Sequence, residues 1–230
     1  MKKQKYVYDY PRPMVATDCV IFGFDGEKLQ VLLVKRAEEP YKDCWVLPGG
    51  FIKMEESAED SAKSMLFSKT GLKDTYIEQF HTFTAPDRDL RGRVISIAYY
   101  ALVRKQEVKE GANAASADWF SLSDLPELYF DHKQILDMAL ERLRERIMFK
   151  PVGFELLPEK FTMRELQNLY EAILGVEFDR RNFSKKILHV GLLIDLEETS
   201  WPTPKRGAKL YKFNAESYER LKDKGFRIEF

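Results

Sequence analysis

Leu47-Pro48-Gly49-Gly50-Phe51, followed by Ser57-Ala58-Glu59-Asp60-Ser61-Ala62-Lys63-Ser64-Met65-Leu66-Phe67-Ser68-Lys69-Thr70-Gly71-Leu72, is the stretch on which the reading of this chain turns. The first piece, with Trp45-Val46 before it, reads as a short strand ending in a tight glycine turn. The second reads as a helix. Ser57 and Asp60 form a capping pattern, and Ala58, Ala62, Met65 and Leu66 recur at helical spacing. Gly71 is placed to end the helix, since glycine accepts the left-handed conformation that a helix C-terminus favours.

Working outward, Val15 to Phe24 and Leu29 to Val34 are β-rich runs joined by Asp25-Gly26, a hairpin signal. Further strands are expected near Tyr76–Phe83, Arg93–Val103 and Asp118-Trp119-Phe120, and a second helix over Asp131 to Ile147. Strands with one early and one late helix make an α/β sandwich.

These residues resemble the Nudix family, whose box is G-x5-E-x7-R-E-U-x-E-E-x-G-U with U aliphatic. Gly50 and Glu56 match, and Gly71-Leu72 closes the box in register. The resemblance spans roughly residues 10 to 148 and implies an α+β chain with a Nudix-type α/β/α sandwich. The centre of the box departs from the pattern: Ser64-Met65-Leu66-Phe67-Ser68-Lys69 stands where the family has R-E-U-x-E-E. Nudix hydrolysis of a pyrophosphate uses magnesium held by the helix carboxylates. Here Ser68 and Lys69 occupy the paired carboxylate positions, and an ammonium group repels a dication. Glu59 and Asp60 lie more than two turns away, ~12 Å by helix rise, too far to rebuild the cluster. No metal, no cofactor and no catalytic residue is therefore expected. The glycine-flanked concavity is expected to remain a ligand site lined by Arg36, Gly49, Gly50, Glu56 and Arg88; arginines suit phosphate or carboxylate groups. Alternatively, Arg88, Arg91 and Arg93 belong to a solvated loop paired with Asp87 and Asp89.

Near residue 150 the texture changes. Phe149 to Pro158 carries proline, glycine and no sustained period, and reads as a linker whose apolar residues pack on something. The expected division is residues 1–150 and 151–230. Beyond it, Thr162 caps a helix from Met163 to Leu174 with Leu166, Leu169, Tyr170 and Ile173 on one face, ended by Gly175. Asp179 caps a second helix through about His189, with Phe183, Ile187 and Leu188 inward. Leu192-Leu193-Ile194 and Lys209-Leu210-Tyr211-Lys212-Phe213 then flank the tip Trp201 to Gly207. Helix, helix, β-hairpin is the winged helix-turn-helix order.

This second half resembles the Nudix-related transcriptional regulators, the NrtR family, over most of residues 153 to 213. The residue chemistry agrees. Arg180, Arg181, Asn182, Ser184, Lys185 and Lys186 stand at the start and outer face of the second helix, where recognition helices meet base edges. Arginine suits guanine and asparagine adenine; Lys185, Lys186, Lys205, Arg206 and Lys209 suit phosphates. Between Arg180 and Lys212 there are eight basic residues against three acids, the local footprint of a nucleic-acid binder. A protein-interaction module with a solvated basic helix is the alternative.

Whole-chain properties exclude less. Lys+Arg and Asp+Glu both number 37, so net charge points to no partner. No apolar run is long enough for a signal peptide or a membrane span. The two cysteines, Cys19 and Cys44, lack ligand spacing, and a reduced, cytoplasmic protein is expected. Together the residues and the resemblance imply a ligand-responsive regulator, more readily a repressor than an activator. It would bind a double-stranded operator as a homodimer, because paired half-sites lie about one helical turn apart. The effector implied is ADP-ribose or a related nucleotide, or a pentose such as arabinose. An active Nudix hydrolase of the ADP-ribose pyrophosphatase kind, with an accessory winged helix, is the rival.

Overall fold

A computed structural model describes residues 8–73, 75–105, 117–200 and 207–222. The wing tip, including Lys205 and Arg206, lies outside the described residues.

The first half is built on one mixed sheet. Its strands are β1 (Met14–Phe24), β2 (Leu29–Lys35), β3 (Trp45–Val46), β4 (Gly49–Phe51), β5 (Tyr76–Phe83), β6 (Val94–Arg104) and β7 (Ala117–Ser121). The central order is β3-β2-β1-β6-β5, with β4 on β1 and β7 on β2. β1 and β6 run parallel, and β1–β2 is the expected antiparallel hairpin. Alternation along β1 and β6 divides the core. Cys19, Ile21, Tyr99, Ala101 and Val103 face helix α1 (Ala58–Thr70), meeting Ala62 and Leu66. Val20, Phe22, Ala98, Tyr100 and Leu102 face helix α2 (His132–Phe149), meeting Ile135, Leu136, Ala139 and Leu143. A period of two on the sheet against helical faces above and below gives the sandwich.

One local expectation is corrected. Gly49-Gly50 is not a turn; it is the body of β4, pairing Gly49 with Asp18 and Gly50 with Thr17. The chain breaks at Leu47-Pro48, so that β3 pairs with β2 while β4 crosses to β1. A Cβ built on Gly49 would overlap Asp18 Oδ1 and lie 2.7 Å from the Thr17 carbonyl. Glycine is needed for close approach, not for turning.

The α1 caps are as read: Ser57 accepts from Asp60 N, and Gly71 ends the helix at φ 69°. The segment after α2 is a 3-10 turn, Val152–Leu156, whose Val152, Phe154 and Leu156 are buried. They join the α2-side core without a break into that of the second half.

That second half comprises β8 (Phe161–Thr162), α3 (Met163–Leu174), α4 (Arg180–Val190), β9 (Leu193–Thr199) and β10 (Lys209–Phe213), with a sheet in the order β8-β10-β9. Thr162 and Glu165 form a complete capping box, Gly175 closes α3 at φ 71°, and Asp179 accepts from Asn182 N at the start of α4. This is a winged helix-turn-helix. A further helix, α5 (Ala215–Lys222), follows the wing, beyond the elements expected from the sequence. Among the described residues no helix is long and apolar enough to cross a membrane.

Candidate functional site

A cavity of about 320 Å³ opens beside β4. Of the five residues proposed from sequence to line it, Arg36, Gly49, Gly50 and Arg88 are brought together there. Glu56 is not in its lining. Its Oε1 instead accepts the Lys53 backbone N–H at 2.9 Å, so it ties down the loop before α1. That hydrogen bond, reinforced by the Lys53 charge, holds the Glu56 carboxyl below the usual range.

Arg88 does not sit in a solvated loop. Its Nε and Nη2 donate to the two oxygens of Asp131 at 2.7 Å each, and Nη2 also reaches Asp18 Oδ2 at 3.1 Å. The side chain is 4% exposed. Burial opposes the guanidinium charge, but the Asp131 bonds and the Asp18 charge outweigh it and raise its pKa. Asp131 precedes α2 without using its side chain as a cap, because the carboxylate is given to Arg88. The loop pairing expected for Asp89 does occur, with Arg91 as its partner at 2.6 Å. Arg93 donates to the Thr84 carbonyl. No signal in the sequence near residue 88 could have named Asp18 or Asp131, which lie 70 and 43 positions away.

The floor of the cavity is a buried polar chain. Ser96 Oγ donates to Asp18 Oδ2 at 2.6 Å, and His132 Nδ1 accepts the Leu47 N–H at 2.9 Å. Its Nε2 stands 3.6 Å from Asp18 Oδ1. Burial lowers the His132 pKa, so the ring is neutral near pH 7. Phe130 forms one wall, with the guanidinium groups of Arg36 and Arg91 5.3 and 5.8 Å from its ring centre.

The helix wall decides the metal question. Met65 and Lys69 line the cavity, on the face where the Nudix box would present carboxylates. Ser68 turns back to donate to the Met65 carbonyl at 2.8 Å. Among the described residues, Lys69 pairs with no carboxylate, and no three His, Cys, Asp or Glu side chains are grouped to hold a metal ion. Asp18 and Asp89, the acids of the lining nearest the floor, are committed to Arg88 and Arg91. A hard dication needs several oxygen ligands, and these residues do not fit magnesium. Arg88 and Arg91 between them meet three carboxylates, Asp18, Asp131 and Asp89, so Lys35, Arg36 and Lys69 stand against one excess carboxylate and Glu38. The cavity is suited to an anionic ligand.

In the second half, Arg180, Arg181, Asn182, Lys185 and Lys186 are exposed on α4, while Phe183 and Ile187 are buried beneath them. Ser184 is half-buried and donates back to the Arg180 carbonyl at 2.8 Å. Lys209 is exposed on the wing, where its ammonium pairs with Asp195 at 2.7 Å. That pair raises the lysine pKa and lowers that of the aspartate.

Residues 12–139 match the model of the NUDIX domain, and residues 153–213 match the NrtR DNA-binding winged helix domain. The ADPR responsive transcriptional repressor of Acinetobacter baylyi is 32% identical over 216 residues, covering 92% of this chain and 86% of the relative. The chain belongs to the NrtR family. Shewanella oneidensis NrtR, solved in complex with a 27mer DNA, superposes with a TM-score of 0.78 at 32% identity, covering 93% of this chain and 97% of that one. This NrtR-family chain also resembles a hydrolase over part of its length: an ADP-ribose pyrophosphatase of Methanocaldococcus jannaschii is 38% identical over 127 residues, 55% of this chain and 73% of the relative. As an NrtR-type protein it is a ligand-responsive, DNA-binding transcriptional regulator with a Nudix-fold sensor domain.

Proposed function

We propose that this regulator is a homodimeric repressor whose sensor, residues 1–150, binds ADP-ribose or a related nucleotide diphosphate without cleaving it. Its reader, residues 151–230, binds operator DNA. The observation that carries this reading is Lys69, an ammonium with no carboxylate partner among the described residues, in the wall where a hydrolase would hold magnesium. It repels the metal that cleavage needs and attracts the diphosphate that sensing needs. A neutral pentose would gain no charge–charge attraction from Lys35, Arg36 and Lys69, so the nucleotide is favoured over arabinose. The A. baylyi relative, described as ADPR responsive, supports the same choice.

On the DNA side, Arg180, Arg181, Asn182 and Ser184 read base edges, while Lys185, Lys186, Lys205, Arg206 and Lys209 contact phosphates. Two copies are needed to meet paired half-sites.

The test is calorimetric titration of the full chain with ADP-ribose and with arabinose, alongside a magnesium-dependent turnover assay. Saturable binding of intact ADP-ribose with no turnover is expected. Magnesium-dependent release of AMP above background would restore the hydrolase reading, for which the M. jannaschii likeness is the argument. Binding of arabinose alone would replace the effector.

A further inference from the structure

Helix α2 has one end in the cavity and the other on the reader. At its N-terminal end Asp131 holds Arg88 and His132 holds Leu47 N–H. About 20 Å further along, by helix rise, Arg144 Nε donates to the carbonyl of Ile173 at 2.8 Å. Ile173 is in the last turn of α3, the first helix of the helix-turn-helix. The last carbonyls of a helix have no partner within it, so a sensor side chain caps the end of a reader helix. A second bond crosses nearby: Asn168 Nδ2 on α3 donates to the Gly26 carbonyl in the β1–β2 turn at 3.0 Å.

The reader end is stiffly built. Gln167 Nε2 donates to the Phe178 carbonyl, and Glu171 Oε1 accepts the Phe178 N–H. These bonds staple the turn leading to α4 onto α3, so α4 follows α3. Between its ends, α2 presents Ile135, Leu136, Ala139 and Leu143, each 1% exposed or less. A helix so packed shifts as one piece, because close-packed interiors transmit displacement and do not absorb it.

We propose that α2 carries cavity occupancy to the recognition helix, and that Arg144 is the positioning residue that makes the connection, with Asn168 as its companion. An anionic occupant beside Arg88 alters the Arg88–Asp131 pair, α2 moves with Asp131, and Arg144 moves the end of α3. The inference rests on the reading that the cavity binds the effector.

The experiment measures the coupling itself. DNA affinity of the full chain is titrated with and without saturating ADP-ribose, and ADP-ribose affinity with and without operator DNA. Linkage requires the same factor in both directions, about tenfold or more for the native chain. In Arg144→Ala, each ligand alone is expected to bind within about threefold of native, while the coupling factor falls at least about fivefold in both directions. Arg142→Ala, on the same helix but paired with Glu145 alone among the described residues, is expected to keep the native factor. Asn168→Ala gives a second reading should Arg144→Ala fold poorly. A native coupling factor in Arg144→Ala, or in Asn168→Ala where that is the variant measured, overturns the proposal while leaving the effector assignment standing. Failure of the native chain to bind ADP-ribose overturns both.

Discussion

The Leu47 backbone N–H donates to His132 Nδ1 at 2.9 Å, joining the break between β3 and β4 to the first residue of α2. The bond commits the lone pair that a proton would need. Burial lowers the His132 pKa beneath its ordinary 6.5, so in the relevant range the unfolded chain binds a proton that the folded chain refuses. Stability is therefore full above about pH 6.5 and declines as pH falls below it. Thermal unfolding between pH 7 and 5 should show a falling midpoint, with a shallower fall in His132→Gln. An identical slope in the variant would mean that another group controls this window.

Arg88 grips two carboxylates at once. Arg88→Ala leaves Asp18 and Asp131 without their cation in a buried setting, and a loss of about 3–5 kcal/mol is expected. Arg88→Lys should recover little of it, because a point charge cannot reproduce the two-oxygen grip on Asp131. Urea unfolding of both variants checks this; a lysine variant of native stability would refute the geometric argument.

Gly49 and Gly50 should respond differently to the same change. A Cβ at Gly49 meets backbone and Asp18, whereas one at Gly50 meets only the flexible end of Met65 at 3.4 Å. Gly49→Ala is expected to cost about 1–3 kcal/mol, the usual range for overpacking, and Gly50→Ala less than about 1 kcal/mol. Denaturant midpoints of the pair decide it, and equal losses would contradict the close-approach account.

On DNA, the contact classes separate by salt and by sequence. Lys185→Ala should weaken operator and random DNA alike and reduce the salt slope by about one. Arg181→Ala should cost about 1–3 kcal/mol on the operator and nothing on random DNA. Fluorescence titrations across a salt series check both; an equal loss on random DNA would assign Arg181 to the phosphate backbone.

Much of the fold was legible before any coordinates. β5 and β10 fall on the expected residues, and the caps at Ser57, Gly71, Thr162, Gly175 and Asp179 are where local hydrogen bonding demands them. Each is decided within three or four residues, by side chains that satisfy a neighbouring backbone group. The basic run from Arg180 to Lys186 was legible for the same reason: helical spacing puts Phe183 and Ile187 inward and the charges outward, whereas Leu188, also expected inward, is 48% exposed.

The site was legible by half. The loss of carboxylates at Met65, Ser68 and Lys69 is written in the sequence, since the residue type at a fixed helical position sets what that face can bind. Which ions pair is not written there. Arg88 could have met Asp87 or Asp89 next door, and instead meets Asp18 and Asp131 across the sheet. Nor does local pattern reveal that Arg144 on α2 closes the end of α3. Partners far apart in the chain are chosen by distance in space after the sheet has brought remote strands together, and a long sequence separation carries no information about that distance.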